Sequence, residues 1–290
     1  MLVTLQEILT KADEGNYAVG AFNSPTLESA RAAVEAAEEL QVPIILSHAE
    51  VHFEVTPLEI MGPILVHLAK QASVPVTVHL DHGSSLENVK RAIALGFSSV
   101  MIDASHMSYE DNVKTVKEVV EYAHDHHVSV EAELGIITSS EIGGEETAGG
   151  AHHDGEDIYT DPDIAKDFVE RTKIDALAAS FGTVHGIYLK EPKLDIARLN
   201  AIYQNIQKPV VMHGGSGLSE QDYINTINAG VRKINYYSYA ARAGAHAVKE
   251  MIEKEPNIFY HDLAVVGKNA IKEDLRRAMQ IFSNKSSVFQ

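Results

Sequence analysis

Short apolar, β-rich runs alternate with longer helical stretches along the chain, and no other feature constrains the fold as strongly. The runs cover residues 18–22, 44–47, 76–80, 99–103, 129–134, 176–179, 209–213 and 233–235. Amphipathic segments separate them, among them 26–39, 86–94, 111–124, 161–171 and 220–228. Pro43, Pro75, Gly96, Pro209 and Gly230 mark strand starts. Strand–helix–strand connections are right-handed and produce parallel strands. Eight such units in 290 residues predict a (β/α)8 TIM barrel. An open doubly wound sheet would carry a Gly-rich phosphate turn after its first strand, where this chain reads Phe22-Asn23-Ser24-Pro25. No linker or charge block divides the chain, so residues 1–290 read as one domain. Extra C-terminal helices are expected from about Val248, with a break at Pro256 and a last helix near 269–281.

Charge narrows the partners. Asp plus Glu number 41 against 24 Lys plus Arg, a net charge of −17, and no basic cluster stands out. Nucleic acid and anionic membrane surfaces are therefore not expected partners. No run approaches the length of a membrane span, and the first residues lack the pattern of a secretory leader, so a cytoplasmic location is expected. Cysteine is absent, which excludes disulfides, thiol nucleophiles and Cys-based zinc sites. Histidine, by contrast, occurs 15 times.

In a barrel of this type reactive side chains gather where the strands end, because all the C-terminal ends converge on one rim. Read in order, those ends are Asn23, Ser47 with His48, Asp81 with His82, Asp103, Glu133, His185 just after the sixth strand, His213 and Asn235. His82, His185 and His213 together can form a three-histidine site; neutral imidazoles suit Zn²⁺, and three protein ligands leave a position for substrate. Asp81, beside His82, is a candidate general acid/base, the alternative being a carboxylate that orients a ligand. The turn His213-Gly214-Gly215-Ser216-Gly217 and the run Asn235-Tyr236-Tyr237-Ser238 follow strands seven and eight, where barrels commonly bind phosphate through backbone N–H groups. Residues 135–159 are Gly-rich and acidic; they read as a surface loop, or as a lid over the rim.

The motifs Val78-His79-Leu80-Asp81-His82-Gly83, Met101-Ile102-Asp103-Ala104-Ser105-His106, Val130-Glu131-Ala132-Glu133-Leu134-Gly135, Gly182-Thr183-Val184-His185-Gly186-Ile187-Tyr188 and Met212-His213-Gly214-Gly215-Ser216-Gly217 stand in one register. Together they resemble the class II ketose-bisphosphate aldolases, which include fructose- and tagatose-bisphosphate aldolases. The resemblance implies one catalytic zinc ion per subunit on His82, His185 and His213, with Asp103 and Glu133 near an alternative metal position. It implies that Asp81 deprotonates the C4 hydroxyl, and that Glu146 exchanges the proton at the carbon that becomes the carbanion. Gly186, Gly214, Ser216, Asn235 and Ser238 match the groups that hold the phosphate of dihydroxyacetone phosphate, and Asn23 and Gly215 join them as substrate-binding candidates. A monovalent cation (Na⁺ or K⁺) and a homodimer or homotetramer are further implications.

The chain departs from the family pattern around the other half of the substrate. The sixth position after Asn235 is Ala241 rather than a basic residue, Tyr237 replaces a small or acidic one, and Ala49 stands where some subfamilies carry Ser. Ser47, His48, Tyr237 and Arg242 are the candidates for distal contacts, while Arg242, Lys268 or Arg276, from this chain or a neighbouring subunit, are candidates for a second phosphate. A Schiff-base lysine is not expected, since Lys173 and Lys233 read as lying toward the opposite rim. The expected activity is zinc-dependent cleavage of a ketose 1-phosphate or 1,6-bisphosphate to dihydroxyacetone phosphate and an aldehyde. A metal-dependent barrel hydrolase of a phosphorylated sugar and a non-catalytic partner subunit are the alternatives.

Overall fold

The computed structural model describes residues 1–139 and 159–284. Eight parallel strands close a barrel in sequence order: β1 (Val19–Asn23), β2 (Ile44–Ala49), β3 (Val76–Gly83), β4 (Ser99–Ile102), β5 (Ser129–Leu134), β6 (Ala176–Ala179), β7 (Val210–Met212) and β8 (Val231–Tyr236). The helices around it are α1 (Leu5–Glu14), α2 (Leu27–Leu40), α3 (Leu58–Gln71), α4 (Leu86–Ala94), α5 (Tyr109–Asp125), α6 (Pro162–Thr172), α7 (Ile196–Ile206), α8 (Glu220–Asn228), α9 (Ser238–Lys254) and α10 (Tyr260–Phe282). The TIM barrel expected from the alternation is the observed architecture. Many helices start where a hydroxyl or carboxylate side chain accepts a first-turn N–H, as Thr26, Ser85, Asp161 and Ser219 do.

Strand residues alternate between two cores, as a period of two requires. Outward residues such as Ile44, Leu46, Val76, Val78, Val130 and Ile234 form one buried cluster with the helices. Inward residues Val19, Ala21, Ile45, Met101, Ala176, Ala178 and Val211 form another, together with Leu5, Ile8, Leu9 and Ala12 of α1. Helix α1 therefore plugs the end of the barrel where the strands begin. The segment before it is tied to that end: Val3 N–H donates to Val76 O at 3.0 Å, and Ser98 Oγ donates to Val3 O at 2.7 Å. With one mouth closed, only the C-terminal mouth is left for chemistry.

Three expectations need correction. β3 runs on to Gly83 rather than ending at Leu80, and His82 sits within it at a left-handed φ of 48° beside a register shift against β4. Such a bulge re-aims a side chain. The last helix starts at Tyr260 rather than near Asn269; its first two turns are exposed or half-buried, and its buried positions begin at Gly267. The helix after β8 starts at Ser238, well before Val248. Residues 140–158, which include Glu146 and most of the lid expected over 135–159, lie outside the described residues.

The plug yields a first prediction. Leu9 is 1% exposed, so Leu9→Ala leaves a cavity at the closed mouth. Urea unfolding is expected to show a loss of about 2–5 kcal/mol, with the wild-type dependence on denaturant.

Candidate active site

The three histidines expected on the rim do meet. The candidate ligand atoms of His82, His185 and His213 all lie within 4.8 Å of one another. His82 Nδ1 is 2.9 Å from Asp103 Oδ2, and Asp103 is itself pinned through Oδ1 by Ser105 N–H and Oγ. His213 Nε2 is 2.8 Å from Glu131 Oε1. A carboxylate accepts, so each of these outer nitrogens carries the proton and the other ring nitrogen is left to ligate. The two inner nitrogens, His82 Nε2 and His213 Nδ1, face each other at 2.9 Å. His185 comes from the segment after β6, and its backbone N–H donates to Thr138 O. Both its ring nitrogens are buried without a hydrogen-bond partner.

Three imidazoles presenting lone pairs to one point are unfavourable unless a cation lies between them. The donor set and the orphaned His185 nitrogens fit a divalent ion such as zinc. Charges around the group act on the rings in opposite directions. Burial opposes a proton on His82, but Asp81, then the bond and charge of Asp103, raise its pKa well above the ordinary histidine value. Burial and the neighbouring histidines push His185 well below it. His82, Asp103 and Glu133 form a second group that could hold a metal. Burial and the charge of Asp103 hold the Glu133 carboxyl well above its usual range.

Asp81, 1% exposed, lies beside this centre on β3. Its Oδ2 accepts from Asn23 Nδ2 at 2.9 Å and its Oδ1 from Asn235 Nδ2 at 3.1 Å. Burial alone would raise its pKa; the charges of His82, His213 and Lys233 outweigh that and hold it below the usual carboxylate range. A cleft opens above, lined by Asn23, Asp81, His185, Gly186, Gly214, Ser216, Asn235, Tyr236, Tyr237 and Ser238. It sits at the N-terminus of α9, where unpaired N–H groups and the helix dipole favour an anion. Ser216 Oγ accepts from Tyr237 N–H at 2.8 Å, which leaves its own proton to donate. Gly214 has a φ of 63°, and a Cβ there would lie 2.3 Å from Val184 O, so the turn requires glycine.

Across the whole chain the match to known proteins is equally direct. The sequence profile described as "Fructose-bisphosphate aldolase class-II" matches residues 3–287. A fructose-bisphosphate aldolase of Geobacillus stearothermophilus is 40% identical over 100% of this chain and 99% of its own. A 6-phospho-5-dehydro-2-deoxy-D-gluconate aldolase of Halalkalibacterium halodurans is 39% identical over 97% of this chain and 96% of its own. Among solved structures, the YdjI aldolase of Escherichia coli K12 superposes with a TM-score of 0.85, at 32% identity and 97% coverage of both chains. The chain belongs to the class II fructose-bisphosphate aldolase family. It is a lyase, and members of this family are generally zinc-dependent.

Not every residue expected at the aldolase site is there. Gly215 faces β8: its N–H donates to Asn235 O at 3.1 Å, and a Cβ would press on Ile234. His48 turns away from the cleft, its Nε2 2.9 Å from Thr56 O and its ring stacked on Phe53. An outward position on β2 leaves it no other course. Ser47 is buried with its Oγ unpartnered and does not line the cleft. Arg242 is exposed, with Nε 3.5 Å from His246 Nε2. Lys268 pairs with Glu35 and Arg276 with Glu273, on this same chain. Lys233 does not lie toward the opposite rim: it is fully buried inside the barrel, ion-paired with Glu131.

Reading the strand ends missed four residues. Glu131, His79 and Lys233 lie one inward step below the rim, and His52 packs its ring on Tyr237 at 4.8 Å. The first three stand two positions before Glu133, Asp81 and Asn235, so a period-two count finds them.

Zinc binding to this centre should depend on pH. The raised pKa of His82 means that a proton occupies the metal-free site at neutrality, and zinc must displace it. Affinity is therefore expected to rise with pH from neutrality upward, over a range displaced above that of an ordinary histidine, with proton release. Titration calorimetry in buffers of different ionisation enthalpy reads both; an affinity flat across that range would contradict the assigned charges.

Proposed function

We propose that the enzyme cleaves a ketose 1-phosphate reversibly to dihydroxyacetone phosphate and an aldehyde whose distal end carries no phosphate. The observation that carries the reading is the Asp81 carboxylate, gripped by the Asn23 and Asn235 amides, between the three histidines and the cleft at α9. His82, His185 and His213 are the residues that would hold zinc. When bound there, zinc supplies Lewis-acid stabilisation of the negative charge that develops on the substrate.

The substrate phosphate fits the cleft formed by Gly186, Gly214, Ser216 and Ser238, where backbone N–H groups and a hydroxyl donate without any basic side chain. Asp81, ionised at neutral pH, accepts the C4 hydroxyl proton. The C3–C4 bond then breaks, C4 becomes the aldehyde carbonyl, and the electron pair stays on the three-carbon half as an enediolate. Protonation at C3 completes dihydroxyacetone phosphate, a role the family pattern gives to Glu146. The Oδ1 atoms of Asn23 and Asn235 are buried acceptors without partners, suited to substrate hydroxyls.

Substrate choice follows from the distal wall. No Lys or Arg lines the cleft among the described residues, and residues 140–158 contain none. Tyr237 lines it instead, and packed on its ring is His52, whose pKa burial lowers to about 4, so that its imidazole is neutral. A neutral imidazole and an aromatic face suit a hydroxylated aldehyde better than a second phosphate. The reading extends to a cytoplasmic homodimer or homotetramer with a monovalent cation near the phosphate. Phe259 and Tyr260, 69% and 85% exposed at the start of α10, support self-association.

A coupled assay of triose-phosphate release over a panel of ketose 1-phosphates and 1,6-bisphosphates tests this reading. Ketose 1-phosphates are expected to be preferred, with activity lost to EDTA and restored by Zn²⁺; inorganic phosphate release instead would indicate a hydrolase. A clear preference for fructose 1,6-bisphosphate overturns the distal part. Asp81→Asn is expected to lower kcat by about 10²–10⁴-fold with zinc retained.

A further inference from the structure

Below the three histidines the barrel interior holds charge that the reaction as described does not use. Lys233 Nζ is 2.8 Å from Glu131 Oε2 and 3.1 Å from Glu131 Oε1, and both side chains are wholly buried. The same Oε1 accepts from His213 Nε2–H at 2.8 Å. On the other side His79 Nε2 stands 3.7 Å from Glu131 Oε2, while its Nδ1 bonds to Ser99 Oγ at 2.8 Å. The carboxylate is thus held between a lysine from β8 and His213, just after β7, with His79 of β3 beside it.

A buried ion pair rarely adds net stability over an apolar pair of like volume. Its retention inside a core asks for another explanation, and the shared oxygen supplies one. We propose that Lys233 is a positioning residue: by pairing with Glu131 it fixes that carboxylate as an acceptor for His213 Nε2–H. The tautomer and ring orientation that aim His213 Nδ1 at His82 and His185 follow from it. This role rests on the metal reading above. With Lys233 gone, the carboxylate is a buried charge without its counter-ion, free to turn toward other donors, and the His213 ring loses its anchor. Metal ligands usually depend on such outer partners for about 10–100-fold in affinity.

Lys233→Met keeps a similar length and removes the charge. On the purified full chain, three quantities distinguish positioning from simple support of the core: zinc affinity by chelator competition, the visible spectrum of the Co²⁺-loaded protein, and far-UV circular dichroism. Folded Lys233→Met is expected to bind zinc at least tenfold more weakly, with an altered cobalt spectrum, and at saturating zinc to lose kcat with little change in KM. If that variant does not fold, Glu131→Gln/Lys233→Met carries no buried charge and the same expectation, since an amide is a weaker acceptor than a carboxylate. A folded variant that binds zinc less than fivefold more weakly, with an unchanged cobalt spectrum, overturns the proposal. His213→Ala separates the two readings. If it binds zinc as the unaltered chain does, the metal site itself is wrong; if it loses zinc while Lys233→Met keeps it, only the positioning role fails.

Discussion

Two carboxylates, Asp103 behind His82 and Glu131 behind His213, hold the site in its working arrangement. Each takes the outer N–H of its imidazole, so the inner nitrogens, 2.9 Å apart, are the ones turned toward the metal position. Neither bond stands alone. Asp103 is anchored by Ser105, Glu131 by Lys233, and the anchors lie on the first loop turn after β4 and on β8. The geometry of the three histidines is therefore a property of several strands at once, and a local change below the rim is felt at the centre.

The barrel explains why such an arrangement is affordable in the energetic sense. Apolar residues from the inward faces and helix α1 fill the closed end, and the outward faces pack on the helices. The charged inward side chains Asp81, Glu131 and Lys233 lie above this apolar plug, where they are paired or face the cleft. Charges that would be costly in an apolar interior thus satisfy one another. The phosphate cradle is separate from this network. It is made of glycine turns and the start of α9, and a protein of net charge −17 can hold an anion there through backbone dipoles alone.

Much of this was legible in the sequence, for particular reasons. The period of two in the strands and the helical period between them identified the barrel, and the convergence of strand ends then put Asp81, His82, His185, His213, Asn23 and Asn235 together. Side-chain chemistry suggested a metal. The pairing of Glu131 with Lys233 stayed hidden because a charged residue in mid-strand gives no sign of its partner 102 positions away. His48 and Gly215 were misplaced for a simpler reason: neighbours in sequence point to opposite sides of a strand, and proximity to the rim does not say which side a residue takes.

By itself the sequence determined the architecture and the inventory of chemical groups, since periodicity and residue type are local properties that each segment carries with it. Tertiary structure alone decided which nitrogen of His82 and of His213 is free to ligate, which oxygen of Asp81 each asparagine holds, and that Lys233 points inward to Glu131. Those choices depend on hydrogen-bond partners brought from distant strands to within 3 Å or so, and a linear order of residues does not specify such distances until the barrel closes.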